Sequence, residues 1–120
     1  MPNIHENLAQ GRWQEMTLSE QLGNIGSEVG RAIARQKQGD EKQKNNALDR
    51  ALDLFDLTLD DKRWHGRMKE IARSREVFCD VFFGDNAYQV PLEKLEKYFF
   101  EYAVAARLKR FCISVNSHQL

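Results

Sequence analysis

The sequence predicts an all-α protein, an antiparallel up-and-down four-helix bundle with a short N-terminal extension. Apolar residues recur three and four positions apart in four segments, about 18–38, 41–60, 64–83 and 91–112, and this is the period of one face of an α-helix. No segment shows the alternation of apolar and polar residues that is typical of a half-buried strand. The only two prolines, Pro2 and Pro91, lie outside the helix interiors, where a proline would break a helix. Short connections between the segments favour antiparallel neighbours.

The composition predicts one soluble, cytoplasmic domain spanning residues 1–120. Of the 120 residues, 42% are hydrophobic and 30% are charged, which is typical of a compact globular domain. Eighteen basic residues balance eighteen acidic ones, so the net charge favours neither nucleic acid nor a membrane surface as a partner. No run approaches the ~18 apolar residues that cross a bilayer, and the first residues lack the pattern of a signal peptide.

The first helix is predicted from a capping box and an apolar stripe. Thr17 and Glu20 stand in the S/T-x-x-E pattern in which two residues cap a helix start reciprocally. The stripe that follows consists of Leu18, Leu22, Ile25, Val29 and Ile33. Beside it lie Gly23, Gly26 and Gly30, each of which costs a helix roughly 1 kcal/mol relative to alanine. We therefore expect a neighbouring helix to approach closely at these glycines.

The second helix carries a stripe of aspartates along one edge of its apolar face. Asp40 is expected to cap the helix, and the apolar face contains Leu48, Leu52, Phe55 and Leu59. The aspartates follow the same spacing and are Asp49, Asp53, Asp56 and Asp60.

Arg75 interrupts the apolar face predicted for the third helix. The other members of that face are Trp64, Met68, Ile71, Phe78 and Phe82. A guanidinium stays charged at accessible pH, so in a core it needs an ion pair with good hydrogen bonds. We expect a structural ion pair of Arg75 with Asp53 or Asp56 that fixes the helix register. An anion-binding or active-site arginine, or a side chain that reaches out to solvent, are the alternatives.

The fourth helix has two apolar faces, although a helix in a monomeric four-helix bundle needs only one. The first face contains Leu92, Leu95, Phe99, Tyr102 and Ala106, and the second contains Phe100, Val104, Leu108 and Phe111. We predict that the second face is an oligomer interface. Alternatively, the N-terminal residues Ile4–Met16, including Leu8 and Trp13, fold back over it.

An enzymatic alternative starts from the carboxylates of the first two helices. Glu28, Asp53 and Asp56 could hold Mg²⁺ against substrate phosphates. Glu28-Val29-Gly30 and the later Asp53-Leu54-Phe55-Asp56 resemble MazG-type all-α nucleoside-triphosphate pyrophosphohydrolases. That family binds Mg²⁺ through an E-E-x-x-E cluster and an E-x-x-D pair on the next helix. Here Ser27 precedes Glu28, and Arg31 stands where the next acid would be.

Four phrases together resemble a family of small, functionally uncharacterised helical proteins from bacteria and archaea. They are Glu20–Val29, Ala51–Thr58, Arg75–Asp80 and Gly84–Tyr88, and the resemblance spans about Leu8 to Arg107. It implies a compact helical bundle and brings no known activity, so no catalytic residue is assigned. A site within these phrases would contain Asn24, Glu28, Asp53, Asp56, Arg75, Asp80 and Asn86.

Three functions therefore compete. The first is an interaction or assembly module that acts as a homo-oligomer or binds an unidentified protein, without a cofactor. The second is a Mg²⁺-dependent nucleotide phosphohydrolase. The third is weak nucleic-acid binding through basic residues of the third helix and the end of the fourth, namely Arg63, Arg67, Lys69, Arg73, Arg75, Arg107, Lys109 and Arg110. The balanced net charge counts against the third.

Overall fold

The structure is a computed structural model and describes residues 11–87, 89–101 and 104. Within this part of the chain all regular structure is helical, which confirms the all-α class. The α-helices are α1 (Leu18–Lys37), α2 (Glu41–Leu59), α3 (Met68–Phe83) and α4 (92–101), with short 3₁₀ helices at Trp13–Glu15 and Lys62–Arg67. None of the described helices is long and apolar enough to span a membrane. The antiparallel order of the four helices stays a prediction.

The predicted start of the third helix at residue 64 is wrong. Lys62–Arg67 is a 3₁₀ helix in which Trp64 has non-helical backbone angles, and the α-helix begins only at Met68. The reason lies in two side-chain contacts. The Asp61 carboxylate accepts a hydrogen bond from the Arg63 N–H at 3.1 Å, and the Trp64 indole donates to Gln21 of α1 at 2.9 Å. Met68 is consequently 38% exposed, although the sequence predicted it to be buried.

The starts of α1 and α2 are capped as the sequence predicted. The Thr17 hydroxyl accepts a hydrogen bond from the Glu20 N–H at 3.1 Å, and the Glu20 carboxylate accepts one from the Thr17 N–H at 3.0 Å. The Asp40 carboxylate accepts from the Gln43 N–H at 3.1 Å. Both helices end within one residue of the predicted positions. The fourth helix was predicted to run to residue 112, and most of its second half lies outside the described residues.

The hydrophobic core is centred on three phenylalanines from three helices. The ring of Phe55 in α2 lies 5.5 Å from that of Phe78 in α3 and 5.9 Å from that of Phe99 in α4. All three side chains are buried, and the tilted and edge-on arrangements are those that aromatic pairs favour. The apolar stripe of α1 is buried as predicted. The three rings are therefore where α2, α3 and α4 are held together.

Gly26 is the place where another helix comes closest to α1. A Cβ atom at Gly26 would lie 2.5 Å from the Cβ of Phe99 and 3.4 Å from its backbone carbonyl. A Cβ at Gly30 would meet no atom of the described residues within 4 Å. The close approach expected at the glycines is therefore found at Gly26 and is not needed at Gly30.

These two glycines give opposite predictions for the same substitution. Gly26→Ala is expected to lower the free energy of unfolding by about 1–3 kcal/mol, because α1 and α4 must move apart and the repacking outweighs the gain in helix propensity. Gly30→Ala is expected to raise it by about 0.5–1 kcal/mol. Urea denaturation of both variants measures the difference. Equal stabilisation by both would show that α4 does not pack on α1 as described.

A buried polar network ties the segment before α1 to the ends of α1 and α2. The Gln21 amide donates to the Trp13 carbonyl at 2.8 Å and to the Asp61 carboxylate at 3.1 Å, and its oxygen accepts from the Trp64 indole. The Trp13 indole donates to the Thr58 hydroxyl at 3.1 Å. Both the NH₂ group and the oxygen of the buried Gln21 side chain are thus hydrogen-bonded, as is usual for a buried amide.

Arg63 closes this network on its outer side. Its guanidinium donates to the Asp61 carboxylate at 2.7 and 3.0 Å and to the Met16 carbonyl at 2.8 Å, and it lies 4.4 Å from the centre of the Trp64 ring. These hydrogen bonds from Arg63, reinforced by one from Gln21, lower the pKa of Asp61 to about 2, against the opposing effect of burial. The Asp61 carboxylate is therefore charged at neutral pH and stays charged well into the acidic range.

Candidate functional site

A cleft of about 280 Å³ lies between α3 and α4. One turn of α3, one turn of α4 and the loop before α4 supply its lining, which consists of Arg73, Ser74, Val77, Val90, Lys94, Leu95 and Tyr98. We call this set the α3–α4 cleft. Its lining is apolar in the main and contains two basic side chains and no acidic one.

The two hydroxyl groups of the cleft, those of Ser74 and Tyr98, form a hydrogen bond with each other. Ser74 is buried and its hydroxyl donates to the Glu70 carbonyl at 3.0 Å. Since a serine hydroxyl has a single proton, the 2.8 Å contact between Ser74 and Tyr98 is a hydrogen bond donated by the tyrosine hydroxyl. This hydrogen bond links Tyr98 of α4 to Ser74 of α3.

The loop between α3 and α4 is held in place by Asn86 and Asp80. The Asn86 side chain accepts from the Val90 N–H at 3.0 Å and donates to the Val90 carbonyl at 3.3 Å, while the Asp80 carboxylate accepts from the Ala87 N–H at 3.0 Å. Asn86 and Gln89 have positive φ angles of 51° and 54°, a conformation that costs most residues energy. Asn86 and Asp80, both in the predicted site, therefore fix the loop that brings Val90 to the cleft.

The second apolar face of the fourth helix is described in part. Phe100 is 62% exposed, whereas its neighbour Phe99 is 1% exposed. Val104 is half-buried, and Leu108 and Phe111 lie outside the described residues. Trp13 is buried in the core beside Thr58. The N-terminal alternative also involved Ile4–Trp13, and most of those residues lie outside the described part.

Arg75 lies at the edge of the core and not at its centre. Its side chain is 38% exposed, and its Nε lies 3.6 Å from an Asp56 carboxylate oxygen. That distance makes an ion pair without a hydrogen bond. The buried face of α3 is formed by Ile71, Ser74 and Phe78, so the small Ser74 occupies the position expected for Arg75. Asp53, the other predicted partner, is exposed on α2.

The proposed metal ligands are not brought together. Glu28 is buried, and its two carboxylate oxygens are engaged by Arg31 of the same helix and by Arg50 of α2, the latter at 2.6 Å. Asp53 and Asp56 are exposed. Within the described ranges, no three histidine, cysteine, aspartate or glutamate side chains are grouped so that they could hold a metal ion. Glu28 instead links α1 to α2 as an ion-pair centre.

Three of the basic residues proposed for nucleic-acid binding pair with acidic side chains. Arg63 pairs with Asp61 at 2.7 Å, and Arg67 pairs with Glu70 at 2.8 Å. Arg75 pairs with Asp56, as described above. The basic residues late in the fourth helix, Arg107, Lys109 and Arg110, lie outside the described part of the chain. These three ion pairs partly neutralise the proposed basic surface, and nucleic-acid binding stays a prediction.

Cys79 is the one cysteine in the described part of the chain. It is free and half-buried. Burial raises the pKa of its thiol, and the nearby Arg75 only partly opposes this effect. A protonated thiol is a poor nucleophile, so Cys79 gives no support to an active site.

Sequence reasoning missed Gln21, Asp61 and the lining of the α3–α4 cleft. Gln21 could have been suspected because the Trp64 indole needs a hydrogen-bond acceptor when it is buried, but this signal does not point to Asp61. The cleft gives a weaker signal. Tyr98 directly precedes Phe99 of the first apolar face of the fourth helix. No pattern in the sequence pairs Tyr98 with Ser74.

Asn24, the remaining residue of the predicted site, makes a local contact. Its exposed side chain donates to the Glu20 carbonyl one helical turn earlier, at 2.8 Å. Of the seven predicted site residues, Arg75 and Asp56 meet each other, and Asp80 of α3 and Asn86 both hydrogen-bond within the loop that follows α3. Glu28 and Asn24 belong to α1, and Asp53 is exposed on α2. They form no single site.

Known proteins do not add to this description. Comparisons of the chain with protein-family models, with curated proteins and with solved structures found no significant match. The resemblances drawn from sequence phrases therefore stay predictions, and function has to be inferred from the described residues.

Proposed function

We propose that the protein is an assembly module that associates with further copies of itself through the second apolar face of its fourth helix. The observation that carries this proposal is the contrast between two adjacent side chains. Phe99 fills the core between α1 and α2, whereas Phe100 places most of its ring in solvent. Aromatic residues are enriched in protein interfaces, where they act as anchors.

A second copy is the occupant that the surrounding charges favour. Val104, which is also helical, follows Phe100 of α4 by four residues, so the two share one helix face. The exposed residues beside Phe100 include both signs of charge, in Glu96, Lys97 and Glu101. In an isologous contact between two α4 helices that run in opposite directions, such a mixed rim can meet opposite charges on the copy.

The proposal predicts a concentration-dependent oligomer that Phe100→Ser weakens. We expect the dissociation constant of this variant to rise at least tenfold, which corresponds to ~1.4 kcal/mol, because the anchor of the interface is removed. Sedimentation velocity over a wide range of concentrations measures this constant.

Phe83→Ser is the matched control. Phe83 is 56% exposed and lies at the end of α3, so the same substitution removes a similar exposed ring elsewhere. We expect its association to match that of the wild type. A wild-type chain that stays monomeric at all concentrations, or equal weakening by both variants, would contradict the proposed interface.

A further inference from the structure

We infer that the α3–α4 cleft is a binding site for a small carboxylate with an apolar body. This inference does not rest on the proposed assembly, because Phe100 does not line the cleft. Three properties of the cleft carry it, namely its size, its apolar walls and the sign of its charges.

The size limits the ligand to a small molecule. Small-molecule sites usually have volumes of about 300–1,000 Å³, and the cleft, at about 280 Å³, is slightly smaller than that range. A nucleotide would not be enclosed. A short aliphatic chain or a single ring would fill the space.

The walls favour an apolar body. Val77 of α3, Leu95 of α4 and Val90 of the loop contribute aliphatic side chains, and the Tyr98 ring adds a flat surface. The hydroxyl groups of Ser74 and Tyr98 are already paired with each other, so they place no demand on a ligand for hydrogen bonds. Burying an apolar body against these groups is favourable.

The charges favour an anionic head group. Arg73 and Lys94 stand on different helices, and both line the cleft. A carboxylate at the mouth of the cleft would be attracted by both positive charges. Since none of the seven lining residues is acidic, a cationic ligand would find no ion-pair partner among them. Geometry and charge thus point to one class of ligand, an amphipathic monocarboxylate.

Three probes separate the contributions of tail and head. Hexanoate carries both, 1-hexanol carries the tail without the charge, and acetate carries the charge without the tail. We expect hexanoate to shift the NMR methyl signals of Val77, Val90 and Leu95 and to bind at least about tenfold more tightly than either of the others. Equal affinity for hexanoate and 1-hexanol, or signal changes elsewhere on the chain, would overturn the inference.

Charge-reversal variants test the head-group contact. We expect Lys94→Glu to weaken hexanoate binding about tenfold or more, because it places an acid where the carboxylate would lie. Lys42→Glu makes the same change of net charge at an exposed position at the start of α2, and we expect it to leave the affinity within about twofold of the wild type. Circular dichroism confirms that both variants are folded. Unchanged affinity in Lys94→Glu would overturn the inference.

Discussion

Asp61→Asn is expected to lower the free energy of unfolding by about 2–3 kcal/mol at neutral pH. The substitution removes the charge that accepts hydrogen bonds from Arg63 and Gln21, and hydrogen bonds to a charged group contribute more than neutral ones. The NH₂ group of the new asparagine side chain would also face an N–H donor of Arg63 or Gln21 instead of accepting from it. Urea denaturation at constant ionic strength measures the loss.

The same substitution should remove part of the dependence of stability on pH. The pKa of Asp61 is lowered from 3.8 to about 2 in the folded protein, so the folded state binds its proton more weakly than the unfolded state. The stabilisation from Asp61 is therefore complete above about pH 5 and is lost as the pH falls toward 2. A difference of this size corresponds to about 2 kcal/mol, so the stability of Asp61→Asn should fall less between pH 5 and 2.

Asp60→Asn provides the control for both measurements. Asp60 is the exposed neighbour of Asp61 at the end of α2, and surface substitutions of this kind usually change stability by less than about 0.5 kcal/mol. If Asp60→Asn and Asp61→Asn have the same effect at neutral pH, the buried network at Gln21 does not stabilise the fold as described.

Local signals made most helix boundaries predictable. The capping box at Thr17 and the cap at Asp40 act within a few residues, and both are present in the structure. The start of α3 was not predictable from periodicity. It depends on contacts of Trp64 and Asp61 with Gln21, which is forty or more residues away. The local spacing of apolar residues carries no information about a contact with a residue that far away in the sequence.

The candidate site was less predictable than the fold, for a related reason. Periodicity placed Arg75 in the middle of the apolar face, but a rotation of one residue puts Ser74 there and moves Arg75 to the edge. Ser74 then becomes the partner of Tyr98 and part of the cleft. The spacing of apolar residues in a sequence does not fix the helix rotation more closely than this. The rotation nevertheless decides whether Arg75 or Ser74 is buried, and Ser74 lines the cleft.

Phe55→Ala is expected to have the largest effect of any single substitution considered, a loss of about 3–5 kcal/mol in the free energy of unfolding. Phe55 is fully buried and its ring contacts those of Phe78 and Phe99. Its removal leaves a cavity at the point where α2, α3 and α4 meet, and it also removes two aromatic contacts. Many single domains are only 5–15 kcal/mol stable, so this variant should be near the limit of folding.

Graded substitutions distinguish loss of volume from loss of the aromatic contacts. Phe55→Leu keeps most of the volume and should cost less than half as much as Phe55→Ala. Phe83→Ala removes a ring that is mostly exposed and 6.2 Å from Phe78, so we expect it to cost less than about 1 kcal/mol. Thermal and urea unfolding at a single low protein concentration keep self-association from contributing. A cost for Phe83→Ala equal to that of Phe55→Ala would mean that the three rings are not the centre of the core. Because Phe99 also contacts α1 at Gly26, the loss in Phe55→Ala should reach all four helices together and appear as one cooperative transition.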